Sequence, residues 1–118
     1  MKHCLVVDES RVIRNVVCHL LGEMKFYAEE AVESRSALDA CRAQMPDAVL
    51  VNLANAGGME LVRTLRRDTG KQPVIIVTMT EHDADNIAQA AHAGADEYML
   101  KPFDRDGLKQ AFAHVGLM

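Results

Sequence analysis

Five short apolar runs, each followed by a segment of helical period, leave this chain few ways to fold. The runs are His3–Val7, Phe26–Ala31, Ala48–Val51, Val74–Thr78 and Glu97–Leu100. Cys4–Val7, Ala48–Val51 and Val74–Val77 are almost continuously apolar and rich in Val, Leu and Ile. Strands read that way when both faces are covered, which is the situation inside a parallel sheet. Phe26–Ala31 is more polar, as expected for a sheet edge.

Between the runs the period changes. Ile13, Val16, Val17, Leu20, Leu21 and Met24 predict one apolar helical stripe. Ser34 is placed to cap a second helix that turns Ala37, Leu38 and Cys41 inward. Leu61, Val62 and Leu65 mark a third helix, and Ile87, Ala90 and Ala91 a fourth that Gly94 can close in a left-handed conformation. Leu108, Ala111, Phe112 and Val115 mark the last, with Asp104 or Asp106 at its start, where negative charge is favourable. Strict alternation implies right-handed crossovers and a three-layer α/β sandwich forming one domain over residues 1–118. In such folds the functional crevice lies beyond the carboxyl ends of the strands. There the chain gathers Asp8 and Glu9, then Asn52, then Thr78, Met79 and Thr80, and finally Lys101 before Pro102.

Composition narrows the function. At 118 residues, 49% hydrophobic and 25% charged, the chain suits a single globular domain. A net charge of −4 argues against a nucleic-acid binder, and Arg63, Arg66 and Arg67 read as a solvated helix face. No apolar run nears the ~20 residues of a membrane span. The N-terminus does not read as a signal peptide. Cys4, Cys18 and Cys41 are odd in number and widely spaced, which predicts buried thiols in a reducing cytoplasm. The five histidines show no metal-ligand spacing, and the seven scattered methionines read as core filling. The loop Asp8-Glu9-Ser10-Arg11 is acidic and free of glycine, so it would repel a cofactor phosphate. No nucleophile–base pair points to an enzyme.

Val6-Val7-Asp8-Glu9-Ser10, Pro46-Asp47-Ala48-Val49-Leu50-Val51 and Ala93-Gly94-Ala95-Asp96-Glu97-Tyr98-Met99-Leu100-Lys101-Pro102-Phe103 together resemble the receiver domains of two-component response regulators, above all the single-domain, chemotaxis-type ones. The resemblance covers the whole chain and implies a flavodoxin-like (βα)5 sandwich with parallel strand order 2-1-3-4-5. It implies that Asp8 and Glu9 occupy a Mg²⁺-holding position, that Lys101 contacts phosphate, and that Tyr98 matches an aromatic switch. It also implies a cis Lys101–Pro102 bond. The phosphoacceptor position, however, falls on Asn52, whose carboxamide has no anionic oxygen to attack phosphorus. The following loop, Leu53 to Gly58, is shortened and lacks the family's proline. The switch hydroxyl position falls on Met79, flanked by Thr78 and Thr80.

These departures predict an atypical pseudo-receiver that acts through protein contact without aspartyl phosphorylation. It would need no cofactor, with Mg²⁺ at Asp8 and Glu9 a weakened option, and Lys101 would pair permanently with Asp8. Its partners would be a histidine kinase, a phosphotransferase or a downstream target. They would meet the face built from Asp83–Gly94, Glu97–Leu100 and Asp104–Val115 of a monomer or weak homodimer. One alternative is a conventional phosphorylatable regulator in which Asn52 is an acceptor substitution; Asp47 lies at the wrong end of its strand to replace it. A less favoured alternative is a flavin- or cofactor-binding protein of the same fold.

Overall fold

The computed structural model describes residues 1–68 and 70–118. Strands β1 (His3–Val7), β2 (Tyr27–Ala31), β3 (Ala48–Asn52), β4 (Val74–Met79) and β5 (Glu97–Leu100) alternate with helices α1 (Arg11–Glu23), α2 (Ser34–Ala43), α3 (Gly58–Arg67), α4 (Ala84–Ala93) and α5 (Arg105–His114). All strand pairs are parallel, in the order β2-β1-β3-β4-β5.

Each central strand feeds two cores. Cys4, Val6, Ala48, Leu50, Ile76 and Met99 face α1 and α5, where Val17, Leu21, Leu108 and Phe112 cover them. Leu5, Val7, Val49, Val51, Ile75, Val77 and Met79 face the other way, against Ala37, Cys41, Leu61, Val62, Leu65 and Ala90 of α2, α3 and α4. Each fully buried side chain of the size of Phe112 or Leu21 contributes about 1.5–3 kcal/mol. This two-sided demand is why the three apolar runs read as continuous rather than alternating.

Five local expectations differ from the structure. Phe26 is buried but precedes β2, and β3 and β4 each run one residue further, taking in Asn52 and Met79. The N-cap of α2 is Glu33, whose N–H donates to Ser36 Oγ at 3.4 Å; Ser34 Oγ instead donates to the Ala56 carbonyl at 2.9 Å. Val16 and Ala91 are exposed, because each lies about 100° around its helix from the inward-facing Val17 and Ala90. Cys18 is only half-buried, whereas Cys4 and Cys41 are buried. Arg66 does not belong to a solvated face.

The Arg66 guanidinium bridges three segments. It donates to the Gly94 carbonyl at 2.7 Å, the Pro73 carbonyl at 2.8 Å, Gln72 Oε1 at 3.1 Å and Asp96 Oδ2 at 2.7 Å. Asp96 Oδ2 also accepts the Ile75 N–H at 2.8 Å, so α3, the start of β4 and the α4–β5 turn share one hub. Gly94 ends α4 at φ +120°, and a Cβ there would lie 2.2 Å from Arg66 Cγ. A side chain at 94 would clash with the hub as well as strain the turn.

Candidate functional site

Side chains alternate along a strand, so the parity of each run decides what reaches the crevice. Ala48 and Leu50 lie in the α1/α5 core, which sends Asn52 to that side; Ile76 does the same for Thr78, and Met99 for Lys101. Val77 and Met79 belong to the opposite core, and Tyr98 packs against it. The expected site residues therefore divide by face, with Asp8, Asn52, Thr78 and Lys101 on the α1/α5 side and Met79 and Tyr98 on the other.

Asp8, Asn52 and Lys101 meet. Lys101 Nζ donates to Asp8 Oδ2 at 3.0 Å, with the two side chains only 9% and 4% exposed. Asp8 Oδ1 accepts the Ser10 N–H at 2.8 Å and, more weakly, the Asn52 amide at 3.4 Å. Both carboxylate oxygens are thus engaged, and one positive charge faces one negative charge. The Lys101–Pro102 peptide is cis, as the family resemblance implied.

The remaining expected residues make no side-chain hydrogen bond with that trio, and only Met79 and Tyr98 turn to the opposite face. Met79 is buried and offers a thioether, while its carbonyl accepts the Lys101 N–H at 2.7 Å. Thr78 is buried, its carbonyl accepting the Leu53 N–H at 3.0 Å, and Thr80 is exposed. Tyr98 is half-buried, with the His82 ring set edge-on at 6.0 Å. Glu9 is exposed and joins the site through its backbone N–H. Asp47 sits at the far end of β3, about 16 Å of strand away from Asn52. There the His3 N–H holds its carboxyl below the ordinary 3.8, and Lys71 assists.

A residue that pattern reading passed over completes the crevice. Asn55 is 4% exposed although it lies in a loop. Its Oδ1 accepts the Glu9 N–H and the Asn52 amide, each at 3.1 Å, and its Nδ2 donates to the Val32 carbonyl at 2.9 Å. Two tight turns aim it inward: Asn55 N–H to the Asn52 carbonyl at 3.1 Å, then Gly58 N–H to the Asn55 carbonyl at 3.0 Å. A Cβ at Gly58 would meet the Asn52 carbonyl oxygen at 3.0 Å, so the second turn leaves little room for a side chain there. The available sequence signal was an amide three residues after Asn52 in a loop ending Gly57-Gly58.

Comparison with known proteins gives a consistent account. The response regulator receiver domain family matches residues 4–113. Response regulator MprA of Mycolicibacterium vanbaalenii is 33% identical over 101 residues, covering 84% of this chain and 43% of that protein. The phosphate regulon transcriptional regulatory protein PhoB of Escherichia coli is 30% identical over 106 residues, covering 86% and 46%. The chain therefore spans less than half the length of these two relatives. The solved structure of the chemotaxis response regulator CheY4 of Vibrio cholerae superposes with a TM-score of 0.90 at 26% identity, covering 98% of both chains. The fold, the strand order and these matches agree: the chain belongs to the response regulator receiver domain family, a signalling family of two-component systems rather than one of enzymes.

Proposed function

We propose that this chain is an atypical receiver module whose output is independent of aspartyl phosphorylation and is delivered by contact with signalling proteins. The observation that carries this reading is Asn52, a buried carboxamide at the tip of β3 held by Ala54, Asn55 and Asp8. An acyl phosphate forms from an ionised carboxylate oxygen, and a carboxamide offers none. Two further features support it. The Lys101 ammonium already has its counter-charge in Asp8, and Met79 gives an apolar end to β4.

The face for partners is α4, β5 and α5. A groove of about 480 Å³ runs along β5 and α5, lined among others by Leu100, Phe103, Gln110 and His114. Leu100 is 40% exposed in it. A histidine kinase, a phosphotransferase or a downstream target would dock there on a monomer or weak homodimer.

Incubation with a small-molecule phosphodonor and Mg²⁺, followed by intact mass measurement, tests the proposal. No added phosphate is expected; a base-labile phosphate on the chain would overturn it. Asn52→Asp alone is expected to label poorly, because the short loop and Met79 remain.

A further inference from the structure

The Mg²⁺-holding role implied for Asp8 and Glu9 does not fit the donors present. A hard divalent cation takes oxygen ligands in a nearly octahedral shell and favours convergent carboxylates. Here Asp8 Oδ2 faces an ammonium and Asp8 Oδ1 faces two N–H donors. Glu9 is exposed, and no cluster of three or more His, Cys, Asp or Glu among the described residues is arranged to hold a metal. Between Glu9 and Asn52 lies instead the Asn55 amide, whose Oδ1 accepts from both.

We propose that Asn55 is a built-in plug that closes the acidic crevice to divalent cations. The inference rests on reading the Asp8–Asn52 crevice as the family's acidic pocket. Asn55 Oδ1 takes donors from the exits of both β1 and β3, and Nδ2 reaches the turn after β2. One buried side chain thus ties three strand ends with three hydrogen bonds. A cation arriving between Glu9 and Asn52 would have to displace Asn55, leaving the Glu9 N–H and the Val32 carbonyl without their partners. Each such bond is worth a bias of roughly threefold to tenfold. The loop after β3 makes the plug, because its two successive turns carry residue 55 back over the crevice.

Mg²⁺ titrations followed by amide NMR shifts in Asn52→Asp and in Asn52→Asp/Asn55→Ala test the plug. The double variant is expected to bind Mg²⁺ about tenfold more tightly than the single one. In Asn55→Ala, hydrogen exchange at the Glu9 amide is expected to quicken roughly tenfold, reflecting a lost bond. Equal Mg²⁺ affinities in the single and double variants, or saturation of the unmodified chain by Mg²⁺ at the double variant's affinity, would overturn the proposal. Should alanine at 55 prevent folding, Asn55→Ser reads the same ratio. The affinity ratio holds whether or not the unmodified chain accepts phosphate, so failure of the plug and failure of phosphorylation independence give separate signatures.

Discussion

Replacing Lys101 with methionine isolates the energetics of the crevice. The substitution keeps most of the apolar stem and removes the ammonium that sits 3.0 Å from Asp8 Oδ2. It leaves a carboxylate that is 3% exposed, facing only the Ser10 N–H and the distant Asn52 amide. Breaking one partner of a buried pair costs about 3–5 kcal/mol, because the remaining charge stays desolvated. The Ser10 bond offsets part of that, so about 3 kcal/mol is expected. For a domain of this size that corresponds to a fall in Tm of about 10–15 °C. Removing both charges in Asp8→Asn/Lys101→Met should return stability to within about 2 kcal/mol of the unmodified chain, since neither desolvated charge remains. Urea denaturation followed by circular dichroism measures all four corners of the cycle. A single-variant loss below about 1 kcal/mol, or a double variant no more stable than Lys101→Met, would refute the claim that the two charges are coupled through a dry contact.

Arg66→Ala is expected to cost about 2–3 kcal/mol in urea unfolding, since the loss leaves the Gly94 and Pro73 carbonyls short of a charged donor. Gly94→Ala should be similarly destabilising, and a loss below about 0.5 kcal/mol would contradict the close approach at that turn. The carboxyl of Asp47 is held below its ordinary 3.8, so its contribution is complete above that pH and fades as pH falls through the lower folded value. The stability gap between the unmodified chain and Asp47→Asn, followed by urea midpoints, should therefore shrink on acidification and stay flat above about pH 5. Burial pushes the Cys41 thiol up to about 11 and raises Cys4 and Cys18 as well. At about pH 8 a thiol reagent should find Cys18 first, as the half-buried one, and Cys4 and Cys41 only after urea unfolding.

How much of this was readable from the chain follows from how local each cause is. The central strands declared themselves because residues such as Val49, Leu50 and Val51 must satisfy a core on each side. Asp8, Asn52 and Lys101 were legible as a site because all three follow strand-like runs, and strand parity sends them to one face. Helix edges were harder: Val16 and Ala91 sit where the stripe turns to solvent, and an apolar side chain there carries no mark of its exposure. Arg66 looked like an ordinary surface cation because its acceptors belong to residues 73, 94 and 96, brought near by folding alone. Asn55 was hidden for the same reason. Its partners Glu9 and Val32 lie 46 and 23 residues away.

The span of the Lys101–Asp8 contact has a kinetic corollary. β1 and β5 are not neighbours in the sheet, and the two residues are 93 positions apart. Closing so long a loop gains nothing until β3 and β4 have assembled between them, so the contact belongs to the last stage of folding. Its removal is therefore expected to leave the refolding limb of a chevron almost unmoved and to appear as faster unfolding. The crevice thus acts as a late clasp that sets how long the native state persists.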